Sequence, residues 1–543
     1  MRRLRRALAA LVVSLLLVAL AIGADPRALI DTAGIGNALE VARGFARPDT
    51  QAETLSRIGR LALESVAIGF AGTALALVMG IGLAVVAAEL PRLPEAPGSH
   101  RIRRLLAGAA SALARGVLLF CRSIPEIIWA YLFVRIFGLG AGPAVLAIAI
   151  TFGGILGKLY AELLESVDPG PVLALRTAGA GRVGALLYGA LPQVRAEWMR
   201  YALFRFECGV RSGSVLGVVG AGGLGMEIDL AIRYLEYDTL ATCLLAILLV
   251  VGAVEAGSGL LHGLGTRRSV AVAFVLGGAS LASLKIPWAD FFGAGALGEL
   301  AQFGASFGDP TLDPLFLGRA VRDATETVGM AWLATGSVAV VALALAPLAV
   351  RRVAVGWLDG APPGETWRRA LRVLVLVATR GVFQLFRTLP EIVWALLFIV
   401  WVGPGVLAGV LAIAAHTFGI LGRLFTEVGA ETDPGPARAL ETTGASPFGL
   451  WLYSVLPIAL PRLVAYALFR FEVNVRTTTM VGFVGAGGIG DALHTAISLF
   501  HTSDLATLLL VLLATVALID WMGDRARSRL FVTPDSSGPD AAG

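Results

Sequence analysis

Tyr466-Ala-Leu-Phe-Arg-Phe-Glu472, Val473-Asn-Val-Arg476 and Gly485-Ala-Gly-Gly-Ile-Gly490 follow one another closely in this chain. The same three pieces occur earlier as Tyr201-Ala-Leu-Phe-Arg-Phe-Glu207, Cys208-Gly-Val-Arg211 and Gly220-Ala-Gly-Gly-Leu-Gly225, an offset of 265 residues. That offset also carries Arg122-Ser-Ile-Pro-Glu126 onto Arg387-Thr-Leu-Pro-Glu391, and Asp168-Pro-Gly-Pro171 onto Asp433-Pro-Gly-Pro436. No gap is needed between about 115 and 245. A repeat of this length is a duplicated domain rather than a solenoid unit. The expected division is a first repeat over 1–265, a second over 266–524, and a disordered tail over 525–543.

Composition sets the solvent. The 543 residues are 57% hydrophobic and 15% charged, with mean hydropathy +0.78. A soluble chain of this length cannot bury so much apolar surface, whereas a bilayer accommodates it. The net charge of +5 is not concentrated in basic runs interleaved with aromatics, which excludes a nucleic-acid partner. Cys121, Cys208 and Cys243 face Phe386, Val473 and Leu508 in the other copy. They read as small apolar residues in helices. The histidines are not repeated, so no metal site or cofactor is expected.

Met1-Arg-Arg-Leu-Arg-Arg6 precedes an apolar run over 7–23. Ala21-Ile-Gly-Ala24 resembles a signal cleavage site, but Arg267-Arg268 precedes a similar run over 269–286 that cannot be a cleaved signal. The first run is therefore read as a retained anchor, with both basic ends cytoplasmic. Residues 25–58 and 288–320 are expected outside. Spans follow near 61–88 and 324–349, with Glu64 and Glu326 near their outer ends. Arginine-rich loops then return to the cytoplasm. Helices through Arg122–Glu126 and Arg387–Glu391 are expected to kink at proline and free a carbonyl. Spans over 143–163 and 406–428 lead into polar segments over 164–195 and 429–460. The last spans cover 196–216 and 236–260, or 461–481 and 501–522, joined outside by Gly-rich turns. The expectation is an all-α integral membrane protein of about twelve transmembrane helices in two parallel repeats, with N- and C-terminus cytoplasmic.

The polar segments carry a spaced pattern. Asp168-Pro-Gly-Pro171 reads as an N-cap with proline at the first helical position, followed by a short helix through Ala174 and a glycine stop at Gly179. Leu191-Pro192 starts the return, with Pro192 thirteen residues after Gly179. Ala439, Gly444, Leu456 and Pro457 repeat the pattern. A well-capped connecting loop is the plain reading. Two equal loops on one face also suit a partner of two-fold symmetry.

Glycine, eleven residues and Leu-Pro is similar to the cytoplasmic coupling loop of binding-protein-dependent ABC importer permeases. Of that loop's usual Glu-Ala-Ala start, only the central Ala174 and Ala439 remain. The stretches 387–394, 466–476 and 482–490 resemble the phosphonate-type permeases, and the likeness covers nearly all of each half. The resemblance implies two permease domains fused in one chain. It implies two cytoplasmic ABC ATPase subunits and an extracytoplasmic substrate-binding protein as partners. It further implies ATP-driven transport of phosphonate or a related phosphorus oxyanion across the bacterial cytoplasmic (inner) membrane. The chain itself is then no enzyme. Gly220-x-Gly-x-x-Gly225 has no βαβ unit around it, and Gly154–Lys158 lacks P-loop spacing, so ATP is left to a separate subunit. The glycines Gly220, Gly222, Gly223, Gly225 and Gly485, Gly487, Gly488, Gly490 are read as tight outer turns.

Glu207 and Arg211, like Glu472 and Arg476, are four apart on a helix and positioned to pair. Arg122 and Glu126, and Arg387 and Glu391, are four apart across a proline. Plain ion pairs inside the bundle are one reading. The other gives some arginines to the substrate, because a guanidinium fork matches phosphonate oxygens. Asn474 would add amide donors beside Arg476, whereas Gly209 offers none. That ranks Arg476 above Arg211. The rival functions are an ion-coupled secondary transporter of a small anion and an ABC permease for another small solute.

Overall fold

The computed structural model describes residues 2–89, 101–263, 266–291, 293–355 and 366–530. The first repeat contains α1 (Arg2–Ala21), α2 (Ala52–Ala87), α3 (Arg101–Ser123), α4 (Glu126–Phe137), α5 (Ala141–Glu165), α6 (Pro169–Thr177), α7 (Leu191–Val215), α8 (Leu224–Arg233) and α9 (Tyr237–Gly263). The second contains their counterparts in the same order: α10 (Thr266–Ser283), α11 (Pro314–Ala349), α12 (Thr366–Thr388), α13 (Glu391–Val402), α14 (Val406–Glu431), α15 (Pro434–Glu441), α16 (Leu456–Val481), α17 (Gly488–Ser498) and α18 (Thr502–Leu530). No strand occurs among the described residues. The segments expected outside also carry helices, Thr32–Ala46 and Ala294–Ser306.

Among the described residues, 8 helices are long and apolar enough to cross a bilayer, or up to 10 if each of two bent pairs is one span. Two shorter apolar helices, Ala9–Ala21 and Ala271–Ser283, lie in α1 and α10. The expected number of about twelve includes these two. The helix α18 continues through 525–530, into the stretch expected to be disordered. Residues 531–543, and the loops 90–100 and 356–365 with Arg92, lie outside the described residues.

Proline does more than kink the chain between α3 and α4. Pro125 and Pro390 are extended, with ψ of 148° and 152°, and a new helix starts at the glutamate that follows. The α12–α13 pair bends by 92°. The carbonyl freed just before each proline finds a donor on the next long helix. Thr151 Oγ1 donates to Ile124 O at 3.3 Å, and His416 Nδ1 to Leu389 O at 2.9 Å. Position 416 thus differs in residue type from 151 while doing the same backbone work.

The chain divides into two compact units that do not follow the repeats. One comprises the chain up to Ala28, Val321–Gly490 and the chain from Ala514 on; the other comprises Leu29–Ala320 and Asp491–Leu513. The first helix of each repeat therefore packs on the other repeat. In the first unit α1 lies against α11: a Cβ on Gly336 would sit 2.7 Å from Leu15 Cδ2, and Trp332 Nε1 donates to Ser14 Oγ at 3.3 Å. In the second unit α10 lies against α2, where a Cβ on Gly277 would sit 2.6 Å from Ala74 Cβ.

The core of the second unit is set by small residues. A Cβ on Gly69 of α2 would lie 2.5 Å from Val210 Cα on α7, and one on Gly72 would lie 2.7 Å from Ile148 Cβ on α5. Hydrocarbon offers no hydrophobic drive between helices, so close backbone approach supplies the dispersion contacts. Gly69→Leu places a side chain against backbone and is expected to cost more than the ~1–3 kcal/mol of ordinary overpacking. Gly82→Leu, where nothing lies within 4 Å of a Cβ, is expected to be neutral. Thermal unfolding of the detergent-solubilised protein separates the two.

Candidate substrate pathway and docking loops

The two polar loops fold alike. Gly170 N–H donates to Asp168 Oδ1 at 2.9 Å, and Gly435 N–H to Asp433 Oδ1 at 3.0 Å, capping α6 and α15 as the Asp-Pro pairs predict. Val172 and Ala437 are buried at equivalent places, whereas Ala174 and Ala439 are exposed. Gly179 and Gly444 end the helices with φ of +87° and +80°, a left-handed conformation that favours glycine.

The return differs from expectation. It does not start at Leu191-Pro192 and Leu456-Pro457. Helical backbone begins at Arg182 and Pro447 and passes through wide π-helical turns, Ala185–Ala190 and Trp451–Val455, before Leu-Pro. A proline donates no N–H, and a widened turn just ahead of it lets the helix pass without a break. Sequence reading missed four side chains here. Val183 and Tyr188 are 67% and 77% exposed, and their counterparts Phe448 and Tyr453 are 62% and 63% exposed. Two equivalent apolar pairs flanking two equivalent short helices make a repeated, sticky surface. The signal was present, as bulky residues at the common offset of 265.

The Gly-rich turns need their glycines for two reasons. Gly220, Gly222 and Gly223 have φ of +86°, +80° and +74°, and Gly485, Gly487 and Gly488 have +94°, +82° and +70°. Gly225 and Gly490 instead permit close approach: a Cβ on Gly225 would lie 2.8 Å from Val215 O, and one on Gly490 would collide with Thr479 O. Each turn opens a short helix whose first N–H groups need acceptors. Residues from the long second helix supply them. Gly488 N–H donates to Glu326 Oε1 and Ile489 N–H to Thr327 Oγ1, both at 2.9 Å; Leu224 N–H donates to Ser65 Oγ at 2.9 Å. Glu64 Oε1 sits 2.6 Å from where a Cβ on Gly222 would lie. Glu64-Ser65 and Glu326-Thr327 are thus the partners of the glycine motif.

Several charged residues of the candidate pathway find partners on other helices. Glu472 does not need Arg476 as its counterion: it meets Arg527 of α18, which also bonds Asp524 at 2.6 Å. Arg476 Nη2 lies 3.1 Å from Asp520 Oδ1, again on α18. In the first repeat the positions of Asp520, Asp524 and Arg527 hold Glu255, Gly259 and His262. Arg211 Nε there is buried without a hydrogen-bond partner, and Glu207 is half-buried. Glu126 accepts from Ser212 Oγ of α7 at 2.8 Å. Glu391 Oε2 lies 3.5 Å from His416 Nε2. Arg387 Nε donates to Gln384 Oε1 at 2.8 Å. Arg122 is half-buried, its backbone N 2.7 Å from where a Cβ on Gly154 would lie.

Asn474 is fully buried and committed. Its Nδ2 donates to Thr335 Oγ1 at 2.7 Å and Thr417 Oγ1 at 2.9 Å, and its Oδ1 accepts from Arg470 Nη2 at 3.1 Å. The expected amide donors beside Arg476 are therefore turned to α11 and α14 instead. In the first repeat Gly209 takes this place, and a Cβ on it would collide with Thr73 Oγ1, the counterpart of Thr335. One repeat joins these helices by a polar network, the other by close contact.

Residues 103–263 and 370–531 match the family model of the binding-protein-dependent transport system inner membrane component. The phosphate-import permease protein PhnE of Mycolicibacterium smegmatis is 30% identical over 93% of this chain and 91% of its own. The phosphite transport system permease protein PtxC of Stutzerimonas stutzeri is 39% identical over 37% of this chain and 68% of its own. A putative cryptic phosphonate transport system permease protein, PhnE2 of Escherichia coli, is 43% identical over 22% of this chain and 96% of its own.

Asn474→Ala removes the interhelical hydrogen bonds to Thr335 and Thr417 and is expected to destabilise the protein by ~1 kcal/mol, the scale of an interhelical hydrogen bond in a membrane. Asn474→Asp keeps the shape but loses the donors, and is expected to do no better. Denaturant titration of tertiary fluorescence checks both.

Proposed function

The chain belongs to the binding-protein-dependent transport system inner membrane component family, and from that premise we propose that it carries phosphonate or a related phosphorus oxyanion across the bacterial cytoplasmic membrane. It is a multi-pass membrane permease of the ABC importer class. The observation that carries the substrate is the set of relatives. A nearly full-length likeness joins it to a phosphate-import permease, and shorter ones to phosphite and phosphonate permeases. Tetrahedral phosphorus oxyanions are what those substrates share.

Permeases of this family work with an ATPase and a substrate-binding protein. In our reading two ATPase subunits dock on the loops 168–192 and 433–457, with Val183, Tyr188, Phe448 and Tyr453 completing the contact. The loops and both termini then face the cytoplasm, in keeping with the positive-inside rule. The Gly-rich turns lie outside, near the bound binding protein. ATP-driven closure switches the pore from inward- to outward-facing.

Gly444→Leu tests the docking loop. Nothing lies within 4 Å of a Cβ there, so the chain alone has room, but a φ of +80° strains leucine by ~1–2 kcal/mol. We expect Gly444→Leu to lower anions carried per ATP hydrolysed, and Gly444→Asn, which tolerates left-handed backbone, to retain most coupling. Normal coupling in the leucine variant removes the loop from the ATPase contact.

The arginines are ranked anew. Both Nε atoms are buried with no acceptor, but the guanidinium of Arg476 is already engaged by Asp520 through Nη2. Arg211→Gln is expected to lower ATP-dependent uptake of labelled phosphate, phosphite or methylphosphonate in proteoliposomes more than Arg476→Gln. A lost charged hydrogen bond of ~1.5–3 kcal/mol corresponds to roughly ten- to a hundredfold in kcat/KM. Equal losses, or a larger one at Arg476, contradict this assignment. Wild-type uptake that runs without the ATPase contradicts the function.

A further inference from the structure

A cavity of about 250 Å³ lies in the first unit, between α1, α11, α14 and α16. Leu11, Trp332, Leu343, Phe425, Leu463 and Phe471 are among its walls. The polar atoms near it are engaged elsewhere. Trp332 Nε1 donates to Ser14, and Thr335 Oγ1 donates to Ala331 O at 2.7 Å while accepting from Asn474. The walls therefore offer carbon alone. An apolar cavity of about 150 Å³ already stays dry and takes an apolar guest.

The other repeat shows what this space is worth. Phe425 and Leu463 correspond to Tyr160 and Trp198. Those two rings stack at 4.4 Å and 14°, and Tyr160 Oη donates to Trp198 O at 2.8 Å. They belong to one packed core with Leu77, Phe206 and Ala273 of α10. The volume that a tryptophan and a tyrosine fill beneath α10 is thus left open beneath α1.

We propose that this cavity holds the acyl chain of a membrane phospholipid, inserted between α1 and the second repeat. The helices α11, α14 and α16 are all spans by length and composition, and Val464 at the cavity rim is exposed, so hydrocarbon is the adjoining medium. An empty void forfeits dispersion contacts on every wall atom. Water has no polar partners there, and an acyl chain needs none. Among the described residues, α1 touches α11 beside the cavity at Gly329 and Gly336 and through the Ser14–Trp332 bond.

The test uses the full chain in nanodiscs whose phosphatidylethanolamine carries a diazirine near the end of one acyl chain. Photolabel is expected on peptides spanning Trp332–Leu343 and Leu463–Phe471, and far less on their counterparts Phe70–Ile81 and Trp198–Phe206. The double variant Phe425→Tyr with Leu463→Trp copies the filled repeat and is expected to lose the label. Leu463→Ala enlarges the cavity and is expected to keep or increase it. Should the double variant fail to fold, Ala339→Leu fills the space from α11 and must abolish labelling instead. Label that survives filling, or that falls equally on both repeats, overturns the proposal. A diazirine fatty acid that labels the same peptides while the phospholipid does not also overturns it, since the guest is then not a phospholipid.

Discussion

Each repeat interrupts its membrane helices at a proline and again at a Gly-rich turn, and each interruption frees backbone groups that hydrocarbon cannot hydrogen-bond. Much of the structure answers that demand. The carbonyl before Pro125 or Pro390 is taken up by Thr151 or His416. The N–H groups after the Gly-rich turns are taken up by Ser65, Glu326 and Thr327. A second tie joins the breaks within each repeat: Gly140 N–H donates to Gly220 O at 3.2 Å, and Gly405 N–H to Gly485 O at 2.9 Å. The irregular backbone is therefore braced by the long helices α2, α5, α11 and α14.

On this common frame the two repeats have diverged in how they spend polarity. The second holds Asn474 with Thr335 and Thr417, and Glu472 and Arg476 with the charged end of α18. The first replaces the Asn474 network with a close glycine contact at Gly209. The exchanged first helices, α1 and α10, tie each half to the other's sequence.

The repeat, the helical class and the capped loops were legible because each rests on local residue chemistry at a constant offset. The partners of the Gly-rich turns were not. Glu64-Ser65 and Glu326-Thr327 are 262 apart, three residues short of the common offset, so they fall outside the gap-free alignment. The i,i+4 reading of Glu472 and Arg476 overlooked Asp520 and Arg527, which are distant in sequence but adjacent in space. No pattern in α1 or α10 tells which repeat it packs on, since an apolar helix on a long tether satisfies either. The π-turns ahead of Pro192 and Pro457 were hidden because leucine-proline reads equally well as a helix start.

The central claim is that one chain supplies both halves of an importer's membrane domain. Native mass spectrometry of the chain co-purified with the proposed ATPase tests this most directly. The account predicts one copy of the 56.5 kDa chain with two ATPase subunits. A complex with two copies of this chain for each ATPase pair, or with one ATPase subunit per chain, would contradict it.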